Sequence, residues 1–269
     1  MRRVLPLLLI LLAASRAGAQ IPIQKVYNEV GIDQKLGTRI PLDLAFLDEQ
    51  GRRVTLDEYV HSGPVVLSLV YFRCPMLCTE VLNGMVEAFR GLSFSAGREF
   101  SVVTVSIDPR ETPELASQKK ERYLEEYGRP GGAAGWHFLT GDARSIKELA
   151  DSAGFRYLFD PRSGQFAHAA GIMIVTPEGR LSRYLFGVQF DPKDLRLALM
   201  EASGNRIGSF ADRLLFLCYH YDPLTGRYGS VIMNVFRGAG TLTILLLGGG
   251  IFLMLRRERR KRARPAEIG

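Results

Sequence analysis

Residues 64–83 read PVVLSLVYFRCPMLCTEVLN, an apolar run that ends at two cysteines spaced C-x-x-x-C. Residues 65–72 are rich in β-branched and aromatic side chains over one strand length, which predicts a strand buried on both faces in a sheet covered by helices. From Thr79 the pattern turns helical: Leu82, Met85, Val86 and Phe89 recur at the i, i+3, i+4, i+7 spacing of an amphipathic helix. Pro75 suits its first turn, where a backbone N–H would have no partner. Cys74 and Cys78 are thereby placed at a strand-to-helix junction, on one side of the chain, where the positive end of the helix dipole favours thiolates.

Working outward, residues 101–107 (SVVTVSI) form a second buried strand, ended by Asp108-Pro109. Thr112-Pro113 opens a helix that runs to about Tyr127. Residues 128–135 (GRPGGAAG) are a loop by composition, residues 136–139 a short third strand, and Ser145 with Glu148 a capping box for a helix that ends at Gly154. Residues 170–176 and 181–186 are strands on either side of Pro177-Glu178-Gly179, hence an antiparallel hairpin. Asp191-Pro192 starts the next helix, which ends near Ser203. Upstream, residues 42–46 and 53–56 flank the turn-forming Asp48-Glu49-Gln50-Gly51, a small hairpin, and residues 21–38 form an extended lead-in. The fold class is α/β: a mixed sheet, parallel first and antiparallel at a later edge, flanked by helices on both sides.

The two ends carry topology. Residues 1–19 combine arginines, an apolar core of roughly ten residues and the small-residue run Ala17-Gly18-Ala19, a secretory signal with the mature chain starting at Gln20. Residues 238–255 are apolar, at the short end of the ~17–25 residues that span a bilayer, and residues 256–269 form a basic tail. This is a stop-transfer pattern. It puts the tail in the cytoplasm and the domain 20–203, with a juxtamembrane linker 204–237, on the outer face of an inner membrane, in the periplasm. The net charge of +7 and the pI near 9.4 follow from the ends. Arg2, Arg3 and Arg16 sit in the signal, and the tail has seven basic and two acidic residues, so residues 20–255 carry −1. The exported part is nearly neutral, which excludes a nucleic-acid partner.

Three cysteines is an odd number, and a pair four apart closes almost no loop, so a structural staple is a poor reason for Cys74 and Cys78. His168, just before the strand 170–176, is placed in a loop at a sheet edge. If its imidazole faces the two sulfurs, the three make a soft, low-coordinate set of the kind that selects Cu(I) and that also holds Cu(II). A four-coordinate zinc site would need another ligand. Beyond residue 203, Cys218 reads as a buried thiol, or with His220 as a second soft-metal pair that Met233 could join. His61 and His137 read as structural or solvated, and Met76, between the cysteines, as an apolar contact.

VVLSLVYFRCPMLC, VSIDPRETP and FDPRSGQFAHAAGIMIVTPEGRLSRYLFG, together with the tethered layout, resemble the SCO/SenC family of copper-handling proteins over roughly residues 43–203. The resemblance implies a thioredoxin-like fold, copper held by Cys74, Cys78 and His168, and Asp108 and Asp160 in the surrounding shell. It also implies a part in metallating the binuclear copper site of cytochrome c oxidase, with that copper-site subunit as partner. Two features depart from the family. Phe72-Arg73 meets Cys74 where the family carries a glycine-tyrosine-threonine-histidine run, and the anchor lies at the C-terminus where the family's is N-terminal.

Two functions of different class remain open. One is a copper chaperone that gives up metal by ligand exchange. The other is a thiol-disulfide oxidoreductase in which Cys74 and Cys78 reduce the cysteines of a copper-site partner. The C-x-x-C spacing usual for that exchange is absent, and the extra residue suits a metal bite.

Overall fold

The computed structural model describes residues 29–74, 76–204, 219–222 and 227–262. The expected signal, residues 1–19, lies outside them. The chain divides into two compact units, Met1–Gly208 and Ser209–Gly269.

In the first unit the strands β1 (Gly31–Ile32), β2 (Ala45–Leu47) and β3 (Arg53–Thr55) precede a one-turn helix α1 (Asp57–Val60). Then come β4 (Val65–Val70), α2 (Leu77–Gly91), β5 (Ser101–Ser106), α3 (Pro113–Tyr127), the short α4 (Gly132–Gly135), β6 (Trp136–Leu139) and α5 (Ala143–Ser152). The unit closes with β7 (Phe155–Asp160), β8 (Gln165–His168), β9 (Gly171–Val175), β10 (Leu181–Phe186) and α6 (Pro192–Ala202).

The central sheet has the order β10-β9-β4-β5-β6. β4 pairs with β5 and β5 with β6 in parallel, whereas β9 runs antiparallel to both β4 and β10. This is the mixed sheet expected from the crossover helices and the Pro177-Glu178-Gly179 turn. All six β4 residues are buried, as a central strand requires. Its one polar side chain is satisfied: the Ser68 hydroxyl donates to Thr104 Oγ1 at 2.9 Å, and that oxygen also accepts the Trp136 indole N–H at 3.0 Å. Each large apolar side chain fully buried here contributes about 1.5–3 kcal/mol, so the β4–α2 layer holds its cysteines on a firmly packed part of the fold.

Helix α2 buries Val81, Leu82, Met85, Val86 and Phe89, the face its periodicity predicted. It begins two residues earlier than Thr79, with Met76 at the N-cap. Gly84 is there for close approach: a Cβ at that position would lie 1.8 Å from the Val188 carbonyl oxygen. Helix α5 starts at Ala143, capped by Asp142, where the sequence pointed to Ser145. The Asp142 carboxylate accepts the Arg144 and Ser145 amides at 2.9 and 3.0 Å and the Ser145 hydroxyl at 2.8 Å, so the expected cap is itself a donor. The loop 128–135 contains the single turn α4.

One element is new relative to the sequence reading. β1, β7 and β8 form a separate three-stranded antiparallel sheet, with Ile32 paired to Phe155 and Tyr157 paired to His168. His168 therefore ends a strand and is not in a free loop, and the lead-in segment 21–38 contributes β1.

In the second unit, β11 (Tyr219–Asp222) and β12 (Arg227–Ser230) form a hairpin, followed by the 32-residue helix α7 (Val231–Arg262). The expected linker 204–237 thus holds a hairpin and the first turns of a helix. Residues 238–255 are helical, and the described large apolar side chains among them, such as Leu242, Leu245, Ile251, Phe252 and Leu255, are exposed. Among the described residues no helix is long and apolar enough to cross a membrane.

Candidate metal centre

The end of β4 and the start of α2 deliver two sulfurs to one place, and the end of β8 delivers an imidazole to the same place. One ligand atom each from Cys74, Cys78 and His168 lie within 4.8 Å of one another. Both cysteines are free thiols. All three residues are buried, with Cys74 7%, Cys78 1% and His168 8% exposed, so the centre is sheltered and opens to solvent by a narrow margin at Cys74 and His168.

The hydrogen bonds fix the protons. The Ala169 carbonyl can only accept, and it lies 2.8 Å from His168 Nδ1, so Nδ1 carries the hydrogen and Nε2 is left as an acceptor. Cys78 Sγ lies 2.9 Å from that Nε2 and donates its thiol proton to it. The Tyr71 amide donates to Cys78 Sγ at 3.3 Å, and the Cys78 amide donates to Cys74 Sγ at 3.4 Å. The Thr79 hydroxyl holds the Cys74 carbonyl at 3.2 Å.

These surroundings make the two thiols unequal. Burial alone would push the Cys74 thiol up, but the Cys78 and Met76 amides and the Tyr71 hydroxyl donate toward its sulfur and hold it below the ordinary thiol value. Cys78 goes the other way. Burial pushes it well up, the Tyr71 amide opposes this, and the neighbouring Cys74 and Glu111 charges add to the rise. Burial holds His168 below the ordinary imidazole value, partly offset by the Ala169 carbonyl, so the ring is neutral. The helix dipole was expected to favour both thiolates. It does not decide Cys78, because a sulfur 1% exposed pays for desolvation more than a helix end returns.

A neutral imidazole nitrogen and two sulfurs form a donor set suited to a soft ion of low coordination number. Among the described residues this group offers three donors, one fewer than a closed zinc site.

The surrounding side chains come from the segment after β5. Asp108, buried, pairs with Arg110, with Nε and Nη2 at 2.7 Å from its two carboxylate oxygens; burial would raise its carboxyl, and the guanidinium holds it below the usual range. Neither residue touches the three donors. Asp160 turns its carboxylate into its own hairpin, accepting the Arg162 amide at 3.1 Å and the Ser163 hydroxyl at 2.9 Å. Glu111, which sequence reasoning passed over, is buried and accepts the amides of Phe72 and Arg73 at 2.7 Å each and the Ser106 hydroxyl at 2.6 Å. It anchors the peptide that leads into Cys74. An acidic residue three places past Asp108, ahead of a helix N-terminus, is the signal that could have marked it.

Tyr71, also unmarked in the sequence, sets its ring edge-on to His168 at 5.9 Å. Met76 is 71% exposed, beside two buried cysteines. His61 pairs with Asp57 at a helix end, and His137 packs against Tyr59 with the rings tilted by 38° and their centres 4.4 Å apart. Cys218 lies outside the described residues. His220 sits opposite Gly229 in the β11–β12 hairpin, and its side chain and that of Met233 lie outside the described ones.

Solved structures resemble this chain. A protein of Aquifex aeolicus VF5, described as an electron transfer protein, superposes with a TM-score of 0.56 at 26% identity over 64% of this chain and 96% of its own. The copper-bound ScoI of Bradyrhizobium japonicum is 23% identical, covering 63% of this chain and 96% of its own, with a TM-score of 0.45. BsSco, described as a member of the Sco family of cytochrome c oxidase assembly proteins and as carrying a disulfide switch, is 20% identical, covering 65% and 98%, with a TM-score of 0.49. No curated protein matches the chain. The SCO1/SenC family profile matches residues 33–201, which span the central sheet, both cysteines and His168, and on that match the chain belongs to the SCO1/SenC family.

Proposed function

We propose that this protein binds copper through Cys74, Cys78 and His168 and helps to metallate the binuclear copper site of cytochrome c oxidase. The observation that carries the reading is the convergence of two sulfurs and one imidazole nitrogen within 4.8 Å. The description of BsSco as a cytochrome c oxidase assembly protein and the copper held by the Bradyrhizobium ScoI support the assignment. Cu(I) suits the donor set best, and the imidazole extends it to Cu(II). With few ligands around the ion, an incoming thiolate or imidazole from the partner can join before one of the three leaves.

Copper affinity should therefore need the ring. His168→Ala is expected to weaken Cu(I) binding about a hundredfold, the loss of one of three ligands, as read by competition against a chelator. The dithiol–disulfide couple needs only the sulfurs, so its reduction potential should stay near that of the wild type. Undiminished affinity in the variant would end the copper reading.

A second reading rests on the inequality of the two thiols. The Cys74 thiolate attacks one sulfur of a partner disulfide and forms a mixed disulfide, releasing a partner thiolate that takes up a proton. Cys78 then passes its proton to His168 Nε2 and attacks Cys74 Sγ. The second partner thiolate leaves, the partner has gained two electrons, and Cys74–Cys78 is the oxidised product. Such a step would prepare a copper site's cysteines for metal.

The exported domain is held at the outer face of an inner membrane by the apolar stretch 238–255, with the basic tail 256–269 in the cytoplasm. The exposed apolar side chains of α7, among them Leu242, Leu245, Ile251, Phe252 and Leu255, and the run of arginines after them support this. A reporter enzyme that works only outside the cytoplasm is expected to be active when fused after Gly204 and inactive when fused to the tail. The opposite pattern would reverse the orientation.

A further inference from the structure

Asp108, Arg110 and Glu111 lie within four residues, yet they grip two different parts of the fold. On one side, Glu111 accepts the Phe72 and Arg73 amides and so fixes the peptide before Cys74. On the other, Arg110 reaches the β7–β8 hairpin. Its Nη2 donates to the Gly164 carbonyl at 3.2 Å, and its guanidinium carbon lies 4.8 Å from the centre of the Phe159 ring and 5.7 Å from that of Phe166. Gly164 has a φ of +68°, a left-handed turn position that presents this carbonyl. Phe159 and Phe166 are cross-strand partners, and Phe166 is two residues from His168, so the two project to the same face of β8. Asp108 holds the guanidinium in a planar fork from below, with its own side chain 3% exposed.

From this geometry we infer that Arg110 is a positioning residue for His168: a clasp that sets the separation between the imidazole and the two sulfurs. The inference rests on the copper reading above. β7 and β8 belong to a sheet separate from the one that carries the cysteines, and no strand pairing joins β8 to β4. The chain itself ties one end of the hairpin, since β8 runs through Ala169-Ala170 into β9, the neighbour of β4; the rest of the hairpin is set against the cysteine loop by side chains that cross between the sheets. Arg110 is one, with a hydrogen bond to the hairpin turn and two ring faces to hold the hairpin's orientation. Lysine could supply the charge but neither the fork nor the flat face.

The test is a double-mutant cycle on the full-length protein with Cu(I), backed by a measurement on the metal-free form. Arg110→Gln is expected to weaken Cu(I) binding about tenfold, the lower end of what outer partners of metal ligands give. In the His168→Ala background the same change should have no further effect, because the ligand it positions is gone. A fall of equal size in both backgrounds would mean a general structural role and overturn the inference, as would no fall in either. In the metal-free protein, hydrogen exchange at the β7–β8 amides should speed up about tenfold in Arg110→Gln, with the β4 amides unchanged. Unchanged exchange at the hairpin would also overturn it. Failure of the copper reading would show separately, as wild-type protein that does not bind Cu(I), and the exchange measurement would still decide the clasp.

Discussion

Cys78→Ser is expected to bind Cu(I) about a thousandfold more weakly than the wild type, a loss of ~4 kcal/mol when a soft thiolate gives way to a hard hydroxyl. The magnitude is scaled from structural zinc sites built of thiolates and imidazoles, about 10–16 kcal/mol shared among four ligands, which is roughly 2.5–4 kcal/mol for each, with a thiolate at the upper end for a soft ion. Serine is close in size to cysteine, can take up the hydrogen bond from the Tyr71 amide, and can donate to His168 Nε2 as the thiol does at 2.9 Å. The fold should therefore survive, and the loss can be charged to the metal. Chelator competition on both proteins reads it directly. A loss below tenfold would mean that Cys78, although central to the cluster, is not a ligand.

The same variant isolates the pH dependence. Cys78 has its pKa raised by burial, so its thiol keeps its proton through the neutral range. Binding a metal must displace that proton, and affinity rises as pH rises, by about tenfold per unit for one proton released. Cys74, held below the ordinary thiol value despite its burial, is the first of the two to lose its proton, and it adds to the slope only below its own lowered pKa. His168, lowered by burial, is already neutral and adds nothing near neutrality. Wild-type affinity should thus climb with pH around neutrality, and Cys78→Ser should lose the share of that climb that the Cys78 proton supplies, about tenfold per unit. A wild-type affinity flat across pH 6 to 8 would contradict the assignment of the proton to Cys78.

The parts of this fold that could be read from sequence are those in which local pattern and burial agree. β4 is apolar on both faces because a central strand has no outer face, and the β9–β10 hairpin carries its turn in Pro177-Glu178-Gly179. The three-stranded sheet was hidden for the opposite reason. β7 is mostly half-exposed, and its aromatic alternation at Phe155, Tyr157 and Phe159 is interrupted by Leu158, so neither a buried run nor a clean period stands out. That alternation, followed by Asp160-Pro161-Arg162-Ser163-Gly164, was nevertheless a usable signal for a hairpin.

The site divides in the same way. C-x-x-x-C after a buried strand marks two of its donors, but nothing local says that His168 faces them, since the contact closes over 90 residues of chain. The unequal thiols were also out of reach. They depend on which amides point at which sulfur and on how much solvent each sulfur loses, and a helix-dipole argument treats both alike. Glu111 was missed because a glutamate before a helix is ordinarily a capping or solvated residue, whereas here its side chain turns back beneath the cysteine loop.

That turn makes Glu111 the second position with a large expected effect. Glu111→Ala removes the acceptor of the Phe72 and Arg73 amides, both at 2.7 Å, and of the Ser106 hydroxyl at 2.6 Å. Ser106 can fall back on the Asp108 carbonyl, already 3.3 Å away, but the two amides are left with no acceptor inside the protein. At about 1–3 kcal/mol for each stranded donor, the metal-free variant should be less stable by about 3–5 kcal/mol, a large share of the stability of a domain this size. Glu111→Gln separates the hydrogen bonds from the packing. Its single carbonyl oxygen can keep the Phe72 and Ser106 bonds, but its NH₂ group would face the Arg73 amide, donor against donor, so it should fall between wild type and alanine at about 2 kcal/mol. Urea unfolding of the three metal-free proteins gives the order. If the glutamine variant were as stable as the wild type, Glu111 would be filling space beneath the cysteine loop and not holding it, and copper affinity in that variant should then be unchanged as well.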